Sequence, residues 1–361
     1  MKYIDEFRDK DLILSLSGKI RKAAQGSYTF MEVCGGHTSS IHRFGIPSLL
    51  PPGIKLISGP GCPVCVTSTD FIDRAIAYSK KKDLIIVTFG DLLRVPGSYS
   101  SLEKEKLTGA DIRIVFSGLE ALNIAGSNSE KTVVFLGIGF ETTAPGTAVT
   151  ITKAKELGLK NFLLLSAHKI MPPVLEALAR DGIKIDGFIC PGHVATITGS
   201  GIFEFLPEKY NLGCVIAGFE PSDLLQSVLM LVGQANDKSP VVEIQYKRAV
   251  TAEGNRIAQD LLSEVFETCG AKWRGFGIIP GSGLSLREKY AEFNAEVKIP
   301  VTLSSEIENQ ACICGDILRG LKMPEDCSLF RKICTPENPV GACMVSAEGA
   351  CKSHFRYIQY E

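Results

Sequence analysis

Residues 54–89 read IKLISGPGCPVCVTSTDFIDRAIAYSKKKDLIIVTF, and this stretch decides the fold. A short apolar run, IKLIS, ends in a Gly/Pro loop. Residues from Thr69 to Lys82 carry helical spacing, and DLIIVTF is a second apolar run. Working outward, the same kind of run recurs as YTFMEV, TVVFLGI, NFLLLSA, DGFIC and GCVIAGF between Tyr28 and Pro221. Such runs, rich in Val, Ile, Leu and Phe, are expected of strands buried on both faces. Further helix-like segments run from Glu103 to Asn123 and from Pro172 to Arg180. Strands alternating with helices predict right-handed βαβ units, parallel sheets and an α/β fold.

Two GFE tripeptides, Gly139–Glu141 and Gly218–Glu220, each follow an apolar run and hint at two similar halves. The small and polar stretches 125–131 and 234–240 suggest boundaries. The expected division is an N-terminal helical segment 1–27, α/β domains 28–127 and 128–238, and a C-terminal domain 239–361. The N-terminal helix is expected to pack on that last domain.

A formal net charge of -1 gives no support for nucleic acid or an anionic membrane as partner, and Trp273 is the only tryptophan. No uncharged apolar run is long enough to span a bilayer, and the N-terminus lacks a signal core. Twelve cysteines in 361 residues are too many for chance packing and too few for a disulfide scaffold. These features predict a cytoplasmic protein whose thiols serve metal or redox chemistry.

Cys327, Cys334, Cys343 and Cys351 are separated by six, eight and seven residues on loop-like sequence rich in Pro, Gly and Ala. Zinc sites favour two tight C-x2-C pairs, which this set lacks. A thiolate-held iron–sulfur cluster tolerates wider spacing, and buried free thiols or disulfides are the plain alternative.

Parallel sheets gather ligands at the carboxyl ends of their strands, and reactive residues sit in those loops. MEVCGGHT offers a soft thiolate at Cys34 and an imidazole at His37 across two glycines, as iron ligands, a structural pair or a phosphate cradle. GPGCPVC places Cys62 and Cys65 before a helix, where a thiolate is favoured; the pair reads as a redox dithiol or half of a metal site. GFETTAP brings Glu141 with two hydroxyls, fit for proton transfer or, equally, a helix cap. SAHKIMPP and CPGHVATITG bring His168, Lys169, Cys190 and His193 to strand ends, His193 on the more open loop. The Gly-rich stretches match neither phosphate-binding fingerprint. Cys312 and Cys314 are either buried or a second thiol pair, while Cys214 and Cys269 read as packing residues.

Taken together, MEVCGGHT, GPGCPVC, GFETTAP, PGHVATITG and CTPENPVGACMVSAEGAC, in that order across nearly the whole chain, resemble the HypD family of [NiFe]-hydrogenase maturation proteins. The resemblance implies two similar parallel-sheet α/β domains facing a cleft, plus a mainly helical and loop module holding a [4Fe–4S] cluster on Cys327, Cys334, Cys343 and Cys351. It implies a role in assembling the Fe(CN)2CO group. The implied partners are a small HypC-type chaperone that shares the iron and a HypE-type carrier that presents thiocyanate. By position, Cys34 would ligate mononuclear iron near His37, and Cys62 and Cys65 would be ligands or a redox pair. Glu141 and His193 would line the cleft, with electrons relayed from the cluster, an arrangement similar in outline to ferredoxin–thioredoxin reductase. The rival reading is a cluster-dependent thiol–disulfide oxidoreductase acting on a protein substrate.

Overall fold

The computed structural model describes residues 4–303, 307 and 309–358. The outermost parts of the expected domains, 1–3 and 359–361, and residues 304–306 and 308 lie outside the described residues.

The seven apolar runs become strands, and two short strands, the fourth and the ninth, arise outside them: β1 (Tyr28–Glu32), β2 (Ile54–Ser58), β3 (Leu84–Thr88), β4 (Ile112–Ile114), β5 (Thr132–Gly139), β6 (Phe162–His168), β7 (Gly187–Pro191), β8 (Gly213–Ala217) and β9 (Val242–Ile244). A hairpin follows, β10 (Phe266–Trp273) with β11 (Gly277–Leu286). Two parallel sheets result, ordered β2-β1-β7-β8-β9 and β4-β3-β5-β6. The fold is α/β, as the alternation predicts.

Successive side chains along the strands enter different cores because they point to opposite faces. In the first sheet, Phe30, Ile189 and Val215 join a core with Leu16, Ile20 and Val228, while Met31, Phe188 and Ile216 face the other way. In the second sheet, Ile85, Val87 and Phe135 share a core with Ala148 and Phe266. Ile86, Val134 and Leu136 enter the core that also takes Met31 and Phe188, so one continuous core joins the sheets.

Sheet membership does not follow the expected linear division. Each sheet draws strands from both sides of residue 127: β1 and β2 pair in one sheet with β7 and β8, β3 and β4 in the other with β5 and β6. The stretch 125–131 is a helix-to-strand turn inside the second sheet, where the Asn161 side chain donates to the Ala125, Asn128 and Lys131 carbonyls. The stretch 234–240 is the same kind of turn in the first sheet, leading into β9. Residues 242–286 therefore complete the α/β body, with the helix Arg256–Val265 packed on the helix Ala144–Glu156 and β11 packed against β6. The segment from Glu103 to Asn123 is not one helix but Leu102–Leu107, β4 and Gly118–Gly126.

The N-terminal helix Lys10–Ala23 lies on the first sheet's outer layer, against the helix Pro221–Asp237, and not on the C-terminal segment. Leu16 and Ile20 form its apolar stripe, and Val228, Leu231 and Val232 supply the matching surface. The described residues between Ile299 and Ile358 lie on the body as loops, short 3-10 turns and two helices, Cys314–Leu318 and Ala350–Tyr357.

Candidate functional site

β1 runs into Val33 and Cys34, and Cys34 caps the helix Gly35–Arg43. Glu32 lies buried behind this turn, where its Oε2 accepts the Cys34 N–H at 3.0 Å and its Oε1 accepts the Thr38 hydroxyl. Burial outweighs those bonds and pushes the Glu32 carboxyl up to about 8. The GPGCPVC loop stacks directly on this turn. Gly35 N–H donates to Gly61 O at 3.0 Å, and a Cβ on Gly61 would stand 2.1 Å from the Cys34 nitrogen. Gly35 is equally constrained, because its Cβ would meet the Glu348 Cβ at 2.4 Å. Only glycine fits at either position.

A helix N-terminus ordinarily lowers a thiol pKa, and here the Cys34 sulfur does accept from the His37 and Gly36 amides. Burial, with the Glu348 charge second, wins and raises it. Cys34 is 2% exposed, closed over by its neighbours. The partner of Cys34 is His193, whose Nε2 lies 3.6 Å from the sulfur. His193 stacks on the Phe219 ring at 4.9 Å, and His37 stacks on Phe219 at 4.7 Å. His37 turns away from Cys34: its Nε2–H donates to Gly218 O at 3.0 Å, while its buried Nδ1 has no hydrogen-bond partner. Burial lowers His37 to about 3, so the ring stays neutral.

Cys62 is the N-cap of the short helix Pro63–Val66 and Cys65 lies within it; the two are joined as a disulfide and are buried. That helix packs against the 3-10 turn Ala342–Met344, which carries Cys343. Beyond it, Cys312, Cys314, Cys327, Cys334 and Cys351 line one small cavity with Leu329 and Phe330. Cys343 does not line the cavity; its sulfur hydrogen-bonds to those of Cys314 and Cys351, and these bonds raise its pKa. A Cβ on Gly341 would stand 2.6 Å from the Cys312 sulfur, so the loop lies directly against the thiols. The helices that begin at Gly35 and Ala350 pack together, with His42 and His354 edge to face at 4.2 Å, which ties Cys34 to the thiol cavity.

The donor chemistry fits a thiolate-held cluster: five soft sulfurs on glycine-flanked loops around an apolar pocket. Among the described residues no group of three or more His, Cys, Asp or Glu side chains is spaced for a single metal ion. At Cys34 the chain offers two donors, a thiol and an imidazole, so a bound ion would need others from outside.

The remaining candidates lie elsewhere. Glu141 ends the β5 turn, where its Oε1 accepts the Met171 N–H at 2.8 Å; its Oε2 is buried without a partner, and burial pushes it up to about 7. Its bond therefore anchors the helix Met171–Arg180 to the second sheet. His168 is held by Thr147 Oγ1 at 2.8 Å and Gly139 O, a structural role. The Cys190 and Cys214 sulfurs lie 3.0 Å apart on neighbouring strands, both buried. Sequence reasoning missed Glu32, Phe219, Glu348 and the place of Cys312. A carboxylate inside the apolar run YTFMEV was the available signal for Glu32.

A family model described as HypD, hydrogenase formation hypA family, matches residues 11–358. The chain is 47% identical to hydrogenase maturation factor HypD2 of Bradyrhizobium diazoefficiens over 371 residues, covering 100% of this chain and 98% of that protein. It is 48% identical to hydrogenase expression/formation protein HupD of Azotobacter chroococcum, over 99% and 97% of the two chains. It is 47% identical to hydrogenase maturation factor HypD of Azotobacter vinelandii, again over 99% and 97%. No helix among the described residues is long and apolar enough to cross a membrane.

Proposed function

This chain belongs to the HypD family of hydrogenase maturation factors, and we propose that it holds an iron ion as cargo while the Fe(CN)2CO group is assembled on it. The observation that carries the proposal is the buried Cys34 sulfur 3.6 Å from the His193 ring, beside the Cys62–Cys65 pair on the stacked loop. A thiolate and an imidazole suit iron that must also take strong-field diatomic ligands. Because burial holds Cys34 as a thiol, iron binding there must expel its proton, so the site charges only when the cargo arrives. Two protein donors leave coordination positions for cyanide, carbon monoxide and a donor from a small HypC-type chaperone. Phe219 and the neutral His37 fix the plane of His193; Glu32 and Glu348 stand where protons are exchanged.

Release of cyanide from a thiocyanate on a HypE-type carrier consumes two electrons and a proton, R–S–CN + 2e⁻ + H⁺ giving R–SH and CN⁻. The Cys62–Cys65 dithiol, on closing to the disulfide, yields two electrons and two protons. One proton restores the carrier thiol and the other is released. A [4Fe–4S] cluster, when bound in the thiol cavity, supplies electrons one at a time. Its expected ligands are Cys327, Cys334, Cys343 and Cys351. The lining of the cavity favours Cys312 as the fourth thiolate in place of Cys343, which faces Cys314. Unpaired thiols in this number belong in the reducing cytoplasm, the compartment we assign. The rival reading, a cluster-dependent thiol–disulfide oxidoreductase acting on a protein substrate, needs no iron at Cys34.

The test is iron and sulfide content with infrared spectra, on anaerobic protein alone and with its chaperone. Cys34→Ala and His193→Ala should keep cluster absorption and lose the additional iron with its CN and CO bands. Undiminished bands in Cys34→Ala would sink the cargo site. Cys312→Ser losing the cluster absorption that Cys343→Ser retains would place Cys312 in the ligand set, and the reverse would restore Cys343.

A further inference from the structure

Between the N-terminus of the helix Thr69–Ser79, the end of β6 and the β10–β11 hairpin lies a cavity of about 230 Å³. It shares no lining residue with the thiol cavity, and neither Cys34 nor His193 lines it. Lys169 lines it while being only 4% exposed. Its Nζ lies 5.4 Å from the Trp273 ring centroid, and it has no ion-pair partner among the described residues. A buried lysine without a carboxylate is uncommon, because an unpaired charge out of water is expensive.

The other charges of the cavity pair off. Lys272 meets Asp70 at 3.9 Å, and Arg74 meets Glu296 at 3.3 Å. Lys169 is thus the surplus, one positive charge. The helix adds to it: Ser68, its N-cap, makes no side-chain capping bond, and Ser68, Asp70 and Phe71 of this first turn face the cavity. Amides at a helix start favour an anion, and Asp70 in the first turn answers only part of that dipole. Of the remaining titratable groups, His168 is committed to Thr147 and Gly139, and Cys269 is a half-buried thiol. Burial lowers the Lys169 amine to about 8, with Asp70 and Cys269 pulling the other way.

We propose that this cavity is a binding site for a small monoanion of the carboxylate class, held by the Lys169 ammonium and the first turn of the helix Thr69–Ser79. One surplus positive charge sets the ligand charge, and the cavity volume sets its size. The site lies outside the cysteine chemistry and does not depend on the function proposed above.

The test uses the full-length anaerobic protein and sodium formate as probe, with ionic strength held by the salt of a bulky sulfonate. Lysine acylation is followed against pH and read peptide by peptide by mass spectrometry. An anion bound to the ammonium must raise the amine pKa, so near pH 8 saturating formate should slow Lys169 acylation by roughly fivefold. Exposed Lys82 should not respond. Asp70→Asn, which removes the opposing rim charge, should lower the formate concentration for half-protection several-fold, and Lys169→Arg should keep a formate-dependent rise in melting temperature. An acylation profile of Lys169 unmoved by formate overturns the site. So does equal slowing at Lys82, which would be screening, and so does protection by inorganic phosphate alone, which would exclude a monoanion.

Discussion

Glu32 sits behind Cys34 with both oxygens engaged, and burial raises its carboxyl from 4.5 to about 8. The folded chain therefore keeps a proton that the unfolded chain gives up above about pH 4.5. Stability from this group is whole below that pH and is lost as pH rises through about 8. Glu141, raised to about 7, acts in the same direction. His37 and His168, lowered to about 3 and 4, act in the opposite one: their contribution is present above about pH 6.5 and lost as pH falls through those values. Above the histidine range the carboxyls dominate, so the melting temperature should fall between roughly pH 6.5 and 8, and Glu32→Gln should flatten that decline. Calorimetry at the two pH values decides it; an unchanged slope in the variant would acquit Glu32.

The Cys34 loop and the GPGCPVC loop are a single packed unit, because Gly61 rests on the Cys34 backbone with no room for a methyl group. The obstructing atoms are main-chain nitrogen and carbon, which cannot rotate aside as a side chain would. Gly61→Ala should therefore destabilise by about 3 kcal/mol or more, at the upper end for an overpacked site. It should separate the loops and abolish additional iron binding, while the thiol cavity, held by other loops, keeps its cluster absorption. Anaerobic urea unfolding with iron analysis tests both halves. A stable variant that still takes up iron would show the loops to be independent. The N-terminal helix makes a milder case: Ile20→Ala removes a fully buried side chain from the outer core and should lower stability by about 2–4 kcal/mol without touching Cys34 or the thiol cavity.

The chain crosses between its sheets twice, from β2 to β3 and from β6 to β7, so the first sheet cannot be completed from a continuous piece, whereas the second is built from the consecutive strands β3 to β6. A fragment spanning residues 28–127 holds β1 and β2 of one sheet with β3 and β4 of the other, and lacks β7, β8, β5 and β6. Its strands would bare Phe30, Met31, Ile86 and Val87, all buried in the whole protein. We expect this fragment to be unfolded or aggregated by circular dichroism and amide hydrogen exchange. The full chain should unfold its two sheets together, through the core shared by Met31, Ile86, Val134 and Phe188. A folded fragment would restore the linear domain division.

Local pattern determined the strands, the helices at Thr69 and Met171, the parallel α/β class and the family. Each rests on short-range periodicity or on motifs written in consecutive residues. The cysteines that matter were legible as a set for the same reason. Partnership was not legible, because it depends on which strand ends meet. Only the tertiary structure paired Cys34 with His193, 159 positions away, and turned His37 towards Gly218. Only it drew Cys312 and Cys314 into the cavity of the later cysteines and set Cys343 behind them. It also moved the boundaries, since the turns at 125–131 and 234–240 look like linkers in composition yet lie inside sheets. Hydrophobic period fixes which face of an element is buried, whereas the choice of neighbour is made by long-range packing that no single segment encodes.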